Sequence, residues 1–169
     1  MQTLDELASN VEIQAEYKQA LLLSLFKKLC VKMQKNSDFN SKIRNIFKQS
    51  HDQKMTMKLI VEKEFNCRID DDDAVIITEW FWAFLKKKTS RKAISLDVKK
   101  DLYNRQNGKC VSCGEDLGDD WSKIHVDHII PWVLVGDELS NNYQDLCETC
   151  NECKSSRIDY MLSRKLKLL

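Results

Sequence analysis

The chain of 169 residues carries 27 Lys and Arg against 26 Asp and Glu, with 43% hydrophobic and 31% charged residues. This is the balance of a soluble globular protein of one medium or two small domains, and it excludes a disordered polyelectrolyte. The longest apolar run, Trp80–Leu85, is far too short for a membrane-spanning helix. The polar, acidic start lacks the basic-then-apolar pattern of a secretion signal, so no export and no membrane partner are expected. Seven cysteines, an odd number, in such a chain suggest a reducing cytoplasmic setting and metal binding rather than disulfides.

All four glycines and the single proline, Pro131, lie beyond residue 107. The preceding stretch has no strong breaker and is expected to be helical, with turns marked only by Asn, Ser and Asp. A first helix is expected after Ser9-Asn10, running to about Gln34, with Leu22, Leu25, Phe26, Leu29 and Met33 on one stripe. A second follows Asp38 with Phe39, Ile43, Ile46 and Phe47 inward. A third covers about Lys54–Phe65 and uses Met55, Leu59, Ile60 and Met57. Asp70 to Asp73 then precede AVIITEWFWAFLKKK, where acids before a helix and lysines after it suit capping and dipole compensation better than a cation site. That helix is apolar nearly all round, through Ala74, Val75, Ile77, Phe81, Phe84 and Leu85 on one side and Ile76, Trp80 and Trp82 elsewhere. Burial within a bundle is expected, with a homodimer or protein-partner surface as the second option. Ser95 resembles an N-cap for a further helix that delivers the chain to Gly108-Lys109-Cys110. The boundary falls near residues 89–95, dividing the chain into a helical domain, 1–94, and a second domain, 95–169.

Charge is uneven: residues 1–95 carry 17 basic and 13 acidic side chains, a net of +4, and residues 96–169 carry 10 and 13, a net of −3. Two basic patches could meet a polyanion, Lys86-Lys87-Lys88 with Arg91-Lys92, and Lys154, Arg157, Arg164, Lys165 and Lys167. Solvated helix faces are the plainer account of each.

Residues 110–154 carry the chemistry. Cys110 and Cys113 form one Cys-x-x-Cys pair, and Cys147 and Cys150 form another after 33 intervening residues. Two such turns complete a tetrahedron of thiolates, which favours a closed structural Zn²⁺ site. Gly114 suits the tight turn after Cys113. Cys153, Cys30 and Cys67 are expected to be free thiols. Between the pairs, residues 123–131 alternate and read as a strand ending at Pro131. A polar turn, Gly136–Asn142, leads to Tyr143–Leu146, and helix is expected from 151 to 169 with Ile158, Met161, Leu162 and Leu169 as a partial stripe. The local order is β, β, α.

Residues 102–157 resemble the HNH endonucleases, the ββα-metal nucleases, in the subtype braced by a four-cysteine zinc. The resemblance rests on the first cysteine pair, Asp127-His128-Ile129-Ile130-Pro131, Asn142, and Leu146-Cys147-x-x-Cys150-Asn151-x-x-Lys154. It implies a zinc-braced ββα-metal domain; with the helical first half read from the residues, the expected fold is α+β, mostly α, an N-terminal helical bundle followed by that domain. It implies that Asp127 and Asn151 hold one catalytic divalent cation, Mg²⁺ or Mn²⁺, that His128 is the general base, and that Asn142 orients His128 across the loop. Lys154 would contact a substrate phosphate from the first turn of the following helix. Adjacent strand residues face opposite sides, so Asp127 and His128 share a site only if the strand bends there. His125 shares the Asp127 face and is read as a structural histidine, with a metal or substrate contact as the alternative.

The expected activity is metal-dependent hydrolysis of phosphodiesters, most simply in double-stranded DNA, in restriction or anti-phage defence. An RNA-cutting version shares the chemistry. A non-catalytic zinc-ribbon adaptor with a Trp-rich partner-binding helix is the alternative from another class, and a toxin a third.

Overall fold

The computed structural model describes residues 9–166, with Lys165 known by its backbone only; Lys167 and Leu169 lie outside the described residues. Four helices build the first half: α1 (Val11–Lys35), α2 (Ser37–Gln49), α3 (Gln53–Phe65) and α4 (Asp71–Lys86). Each starts where a side chain replaces a missing helical acceptor. Asn10 accepts from the backbone N–H of Glu12 and Ile13, Asn36 from Phe39, Asp52 from Met55, and Asp70 from Asp73. The remaining acids of the Asp70–Asp73 run hold the bundle together from outside. Asp71 pairs with Lys54 and Lys58, and Lys18 of α1 reaches both Asp70 and Asp73.

Helix α4 is the centre of the bundle and touches α1 and α3. Its rings mesh with those of its neighbours: Phe81 meets Phe47 edge-on at 4.7 Å between centroids, and Phe26 lies 5.7 Å from Trp80 and 6.5 Å from Phe84. Leu22, Phe26, Leu29 and Met33 of α1 are buried as their spacing predicts, but the inward face of α3 differs from expectation. Met57, Ile60 and Val61 are buried, whereas Met55 and Leu59 are exposed, as are Ile46 of α2 and Val75 of α4. Helix α3 carries apolar residues on both sides, so periodicity alone does not choose between them; contact with α4 does.

An extended strap, residues 87–95, leads to α5 (Leu96–Arg105), capped by the Ser95 hydroxyl. There follow β1 (His125–His128), a single-turn α6 (Trp132–Val135), β2 (Tyr143–Leu146), α7 (Glu148–Lys154) and α8 (Tyr160–Lys165). Strands β1 and β2 pair antiparallel, His125 opposite Leu146 and His128 opposite Tyr143. The fold is α+β and mostly α. The single helix expected over 151–169 is instead two, because the chain breaks at Ser155, which adopts a positive φ of 44°. That break turns α8 back to pack on α1.

The core is not confined to the bundle. Ile130, Leu134 and Val135 join the cluster formed by α1 to α4, and α6 packs on α4. A small second cluster comprises Cys110, Leu146, Cys150 and Tyr160. Phe81 is fully buried at the centre of the larger cluster. Phe81→Ala is expected to cost about 3–5 kcal/mol of stability, visible as a lower urea midpoint with the slope retained.

Candidate active site

The two cysteine pairs stand on unlike supports. Cys110 and Cys113 belong to a turn closed by hydrogen bonds from the Gly114 N–H to the Cys110 carbonyl and from the Cys110 N–H to the Glu115 carbonyl. Gly114 holds φ at +76°, a value that strains a side chain. Cys147 caps α7, and Cys150 lies on its first turn. The four Sγ atoms all lie within 4.8 Å of one another. The Cys113 and Cys147 sulfurs are 3.8 Å apart, close to the edge of a tetrahedron whose zinc–sulfur bonds are about 2.3 Å. Loss of hydration and the neighbouring thiols push Cys113 and Cys147 up from the ordinary thiol value. A bound cation reverses that penalty, so the donor set fits zinc. Cys153 is exposed and outside the set; Cys30 is buried in the bundle and Cys67 half-buried.

Beside this frame a cleft of about 800 Å³ opens off the end of β1. Asp127, His128 and Asn151 all line it, with His125 at its wall. Asp127 and His128 serve one cleft because His128 is the last residue of β1 and the chain turns at once toward Pro131. Asn142 enforces the turn. It is buried, accepts from the Ile130 N–H at 2.7 Å, donates to the Ile130 carbonyl at 2.9 Å, and its own carbonyl accepts from Ile129. It therefore fixes the backbone directly after His128 rather than the imidazole.

Lys154 sits on the last turn of α7, not the first. Its side chain is buried, 2.7 Å from Asp127 Oδ2 and 2.8 Å from the His128 carbonyl. Its charge is committed to Asp127, and Gln144 approaches the same oxygen at 3.5 Å.

Sequence reasoning missed Asp137, which holds His128. Its side chain is 4% exposed. His128 Nε2 lies 3.0 Å from Oδ1, the Tyr143 hydroxyl donates to Oδ1 at 3.1 Å, and the Trp132 indole donates to Oδ2 at 3.0 Å. The Lys92 backbone N–H donates to Oδ2 at 2.9 Å. Burial alone would raise the Asp137 carboxyl, but these donors outweigh it and hold the group at about 2. Burial, then the neighbouring carboxylate, pushes the Tyr143 phenol up. Asp137 lies nine residues beyond His128 in irregular chain, where no spacing rule marks it.

Residues 110–167 match the model of a family described as HNH endonuclease. The match covers about a third of the chain, including both cysteine pairs, Asp127, His128, Asn142 and Asn151. No curated protein and no solved structure matches the chain. Residues 110–167 are thus similar to the HNH endonuclease family and carry four cysteines placed to hold a metal, consistent with a zinc-braced HNH domain.

Two outcomes follow for stability. Cys147→Ser is expected to abolish tight zinc binding, one equivalent per chain in the native protein, and to unfold residues around the knuckles, measured by metal analysis and thermal melting. Asp137→Asn is expected to cost about 2 kcal/mol near neutral pH. The folded carboxyl, at about 2, lies below the unfolded value of about 3.9, so its contribution is present above about pH 4 and is lost as pH falls toward 2. Denaturant titrations of both proteins should show their difference narrowing over that window.

Proposed function

We propose that residues 95–169 form a metal-dependent endonuclease that hydrolyses phosphodiester bonds in DNA, with the helical residues before them as a supporting domain. The observation that carries this reading is the meeting of Asp127, His128 and Asn151 at one cleft, inside the span that matches the HNH endonuclease family. Asp127 and Asn151 offer oxygen donors of the kind a hard divalent cation takes, and are assigned to hold Mg²⁺ or Mn²⁺. When bound, that ion would stabilise charge on the phosphate and on the departing oxygen. Lys154 keeps Asp127 aimed while leaving Oδ1 of the carboxylate without that ammonium.

His128 is assigned as general base. Asp137 is anionic at neutral pH, so it accepts the proton of His128 Nε2 and leaves the lone pair on Nδ1. Nδ1 takes a proton from water as the water oxygen bonds to phosphorus and the bond from phosphorus to the 3′ oxygen breaks. The departing oxygen takes a proton from solvent water, so the products are a 5′-phosphate and a 3′-hydroxyl. Asp137 then faces an imidazolium and stabilises it, the division of labour seen wherever a carboxylate orients a catalytic histidine. Asn142 acts one step removed, by holding Ile129 and Ile130 in the turn that presents His128.

DNA is the substrate favoured because the cleft wall is basic and Trp132 is engaged on its indole nitrogen and on one face. Base-stacking platforms of the kind used for single strands are thus not built around that ring. Four cysteines placed to hold one metal suit a reducing, cytoplasmic setting. Among the described residues no helix is long and apolar enough to cross a membrane. A compact helical unit joined to a small nuclease suits restriction or anti-phage defence. One such centre cuts one strand, so a double-strand break requires two chains or two events.

Supercoiled plasmid incubated with the zinc-loaded protein and Mg²⁺ or Mn²⁺ is expected to be nicked or linearised. His128→Ala should lower the rate by at least about 10²-fold, and EDTA should stop it. Asp137→Asn should lower kcat with little change in KM, since it alters the base and not the substrate contacts. Cleavage unaffected by His128→Ala contradicts the assignment.

A further inference from the structure

We propose that the strap before α5 is a binding wall for the phosphate backbone of duplex DNA, carried by Arg91 and Lys92 and continued by Lys99. This rests on the nuclease reading and adds a substrate-binding surface outside the family-matched residues 110–167. All three side chains line the cleft that holds Asp127, His128 and Asn151.

Several neighbouring basic residues are engaged elsewhere. Lys154 is buried on Asp127, and Arg157 pairs with Asp159. Lys86 lies over the Trp82 ring at 5.2 Å, and Lys87 donates to the Val133 carbonyl. Arg91 and Lys92 are exposed, the Lys92 ammonium lies at the 3.5 Å limit of a hydrogen bond to the Asp137 backbone carbonyl, and among the described residues neither they nor Lys99 form an ion pair with a carboxylate. Lys99 is half-buried, and its charge acts on the buried Asp145. The wall is therefore cationic, with Asp127 and Glu152 the acidic residues of the cleft.

The strap is held where it can act. Gly136, at a φ of +63°, lets Lys87 approach so closely that an added Cβ would lie 3.0 Å from the Lys87 Cβ. The Lys92 N–H is bound to Asp137, and the Arg91 guanidinium lies 4.9 Å from the Trp132 ring centroid. A guanidinium placed over an indole face is ordered by the cation–π attraction, which uses none of its N–H donors and so leaves them available to a phosphate. Because Trp132 is covered on that face, the wall offers charge rather than a platform for bases. Backbone contact of this kind positions a strand without reading its sequence.

The test uses the full zinc-loaded chain carrying His128→Ala, so that binding is read without cleavage, and a short fluorescent DNA duplex, beside single-stranded DNA and RNA of the same sequence, titrated over a series of salt concentrations. Each phosphate contact contributes about 0.9 to the slope of log affinity against log salt. Adding Arg91→Gln and Lys92→Gln is expected to weaken binding by roughly tenfold and to make the slope shallower by about 2. Arg91→Gln with Lys99→Gln should behave alike and leaves the Lys92 cover of Asp137 untouched. Lys27→Gln with Lys28→Gln, an exposed pair on α1, is the charge-matched control and should change neither quantity. Zinc content and unfolding midpoint, measured on every variant, show that the fold is retained.

If both strap variants match the control while the parent still binds, the strap proposal is overturned and the nuclease reading stands. If the parent prefers single-stranded DNA or RNA, the duplex assignment is overturned. If the parent binds no nucleic acid, both readings fall together.

Discussion

Four thiolates from two separate turns must meet at one point, and the C-terminal part of the chain depends on that meeting. Its own satellite core is Cys110, Leu146, Cys150 and Tyr160, of which two are thiol donors. So small an apolar cluster cannot by itself offset the entropy of ordering the loops, the two short strands and the four helices of this part. A cation held by the four cysteines that are placed for one would supply the missing free energy. It also fixes geometry that matters elsewhere: Cys147 begins α7, and α7 carries Asn151 to the cleft and Lys154 to Asp127. The metal frame thus acts on chemistry without entering it.

A second point of convergence ties the helical half to the cleft. Asp137 receives hydrogen bonds from the strap, from α6 and from β2, and faces His128. Ile130, Leu134 and Val135, from the turn and helix beside it, are buried in the bundle core. The orientation of His128 therefore depends on packing against α4 as well as on its own strand. This gives the N-terminal helices a mechanical part in the site, whatever else they contact.

What was legible in the sequence is local. Helix starts were visible at Asn10, Asp70 and Ser95 because these caps bond within three residues of themselves, whereas the Asp52 cap went unmarked and Asn36 caps α2 where Asp38 seemed the marker. The cysteine frame was legible because each pair occupies a single turn, and the fold class followed from where glycine and proline lie. The gathering of Asp127, His128 and Asn151 at one cleft came through resemblance, and the bend it required is supplied by the Asn142 bonds to Ile130. Long-range choices were hidden. The face of α3 was ambiguous because both sides are apolar, and the break at Ser155 follows no glycine or proline. Asp137 looked like any acid in a polar turn, and its role exists only through partners at positions 92, 128, 132 and 143. Lys154 read as a contact for substrate phosphate because nothing local shows that α7 ends against Asp127.

The central claim is a division between one metal that builds and another that reacts. The direct measurement is plasmid cleavage by protein loaded with one zinc per chain and stripped of other metals, with Mg²⁺ then titrated while bound zinc is followed in the same sample. The account predicts no cleavage with zinc alone, saturable cleavage as Mg²⁺ is added, and a constant zinc content throughout. Cleavage at full rate without added Mg²⁺ or Mn²⁺, or cleavage that persists after the four-cysteine site has lost its zinc, would contradict it.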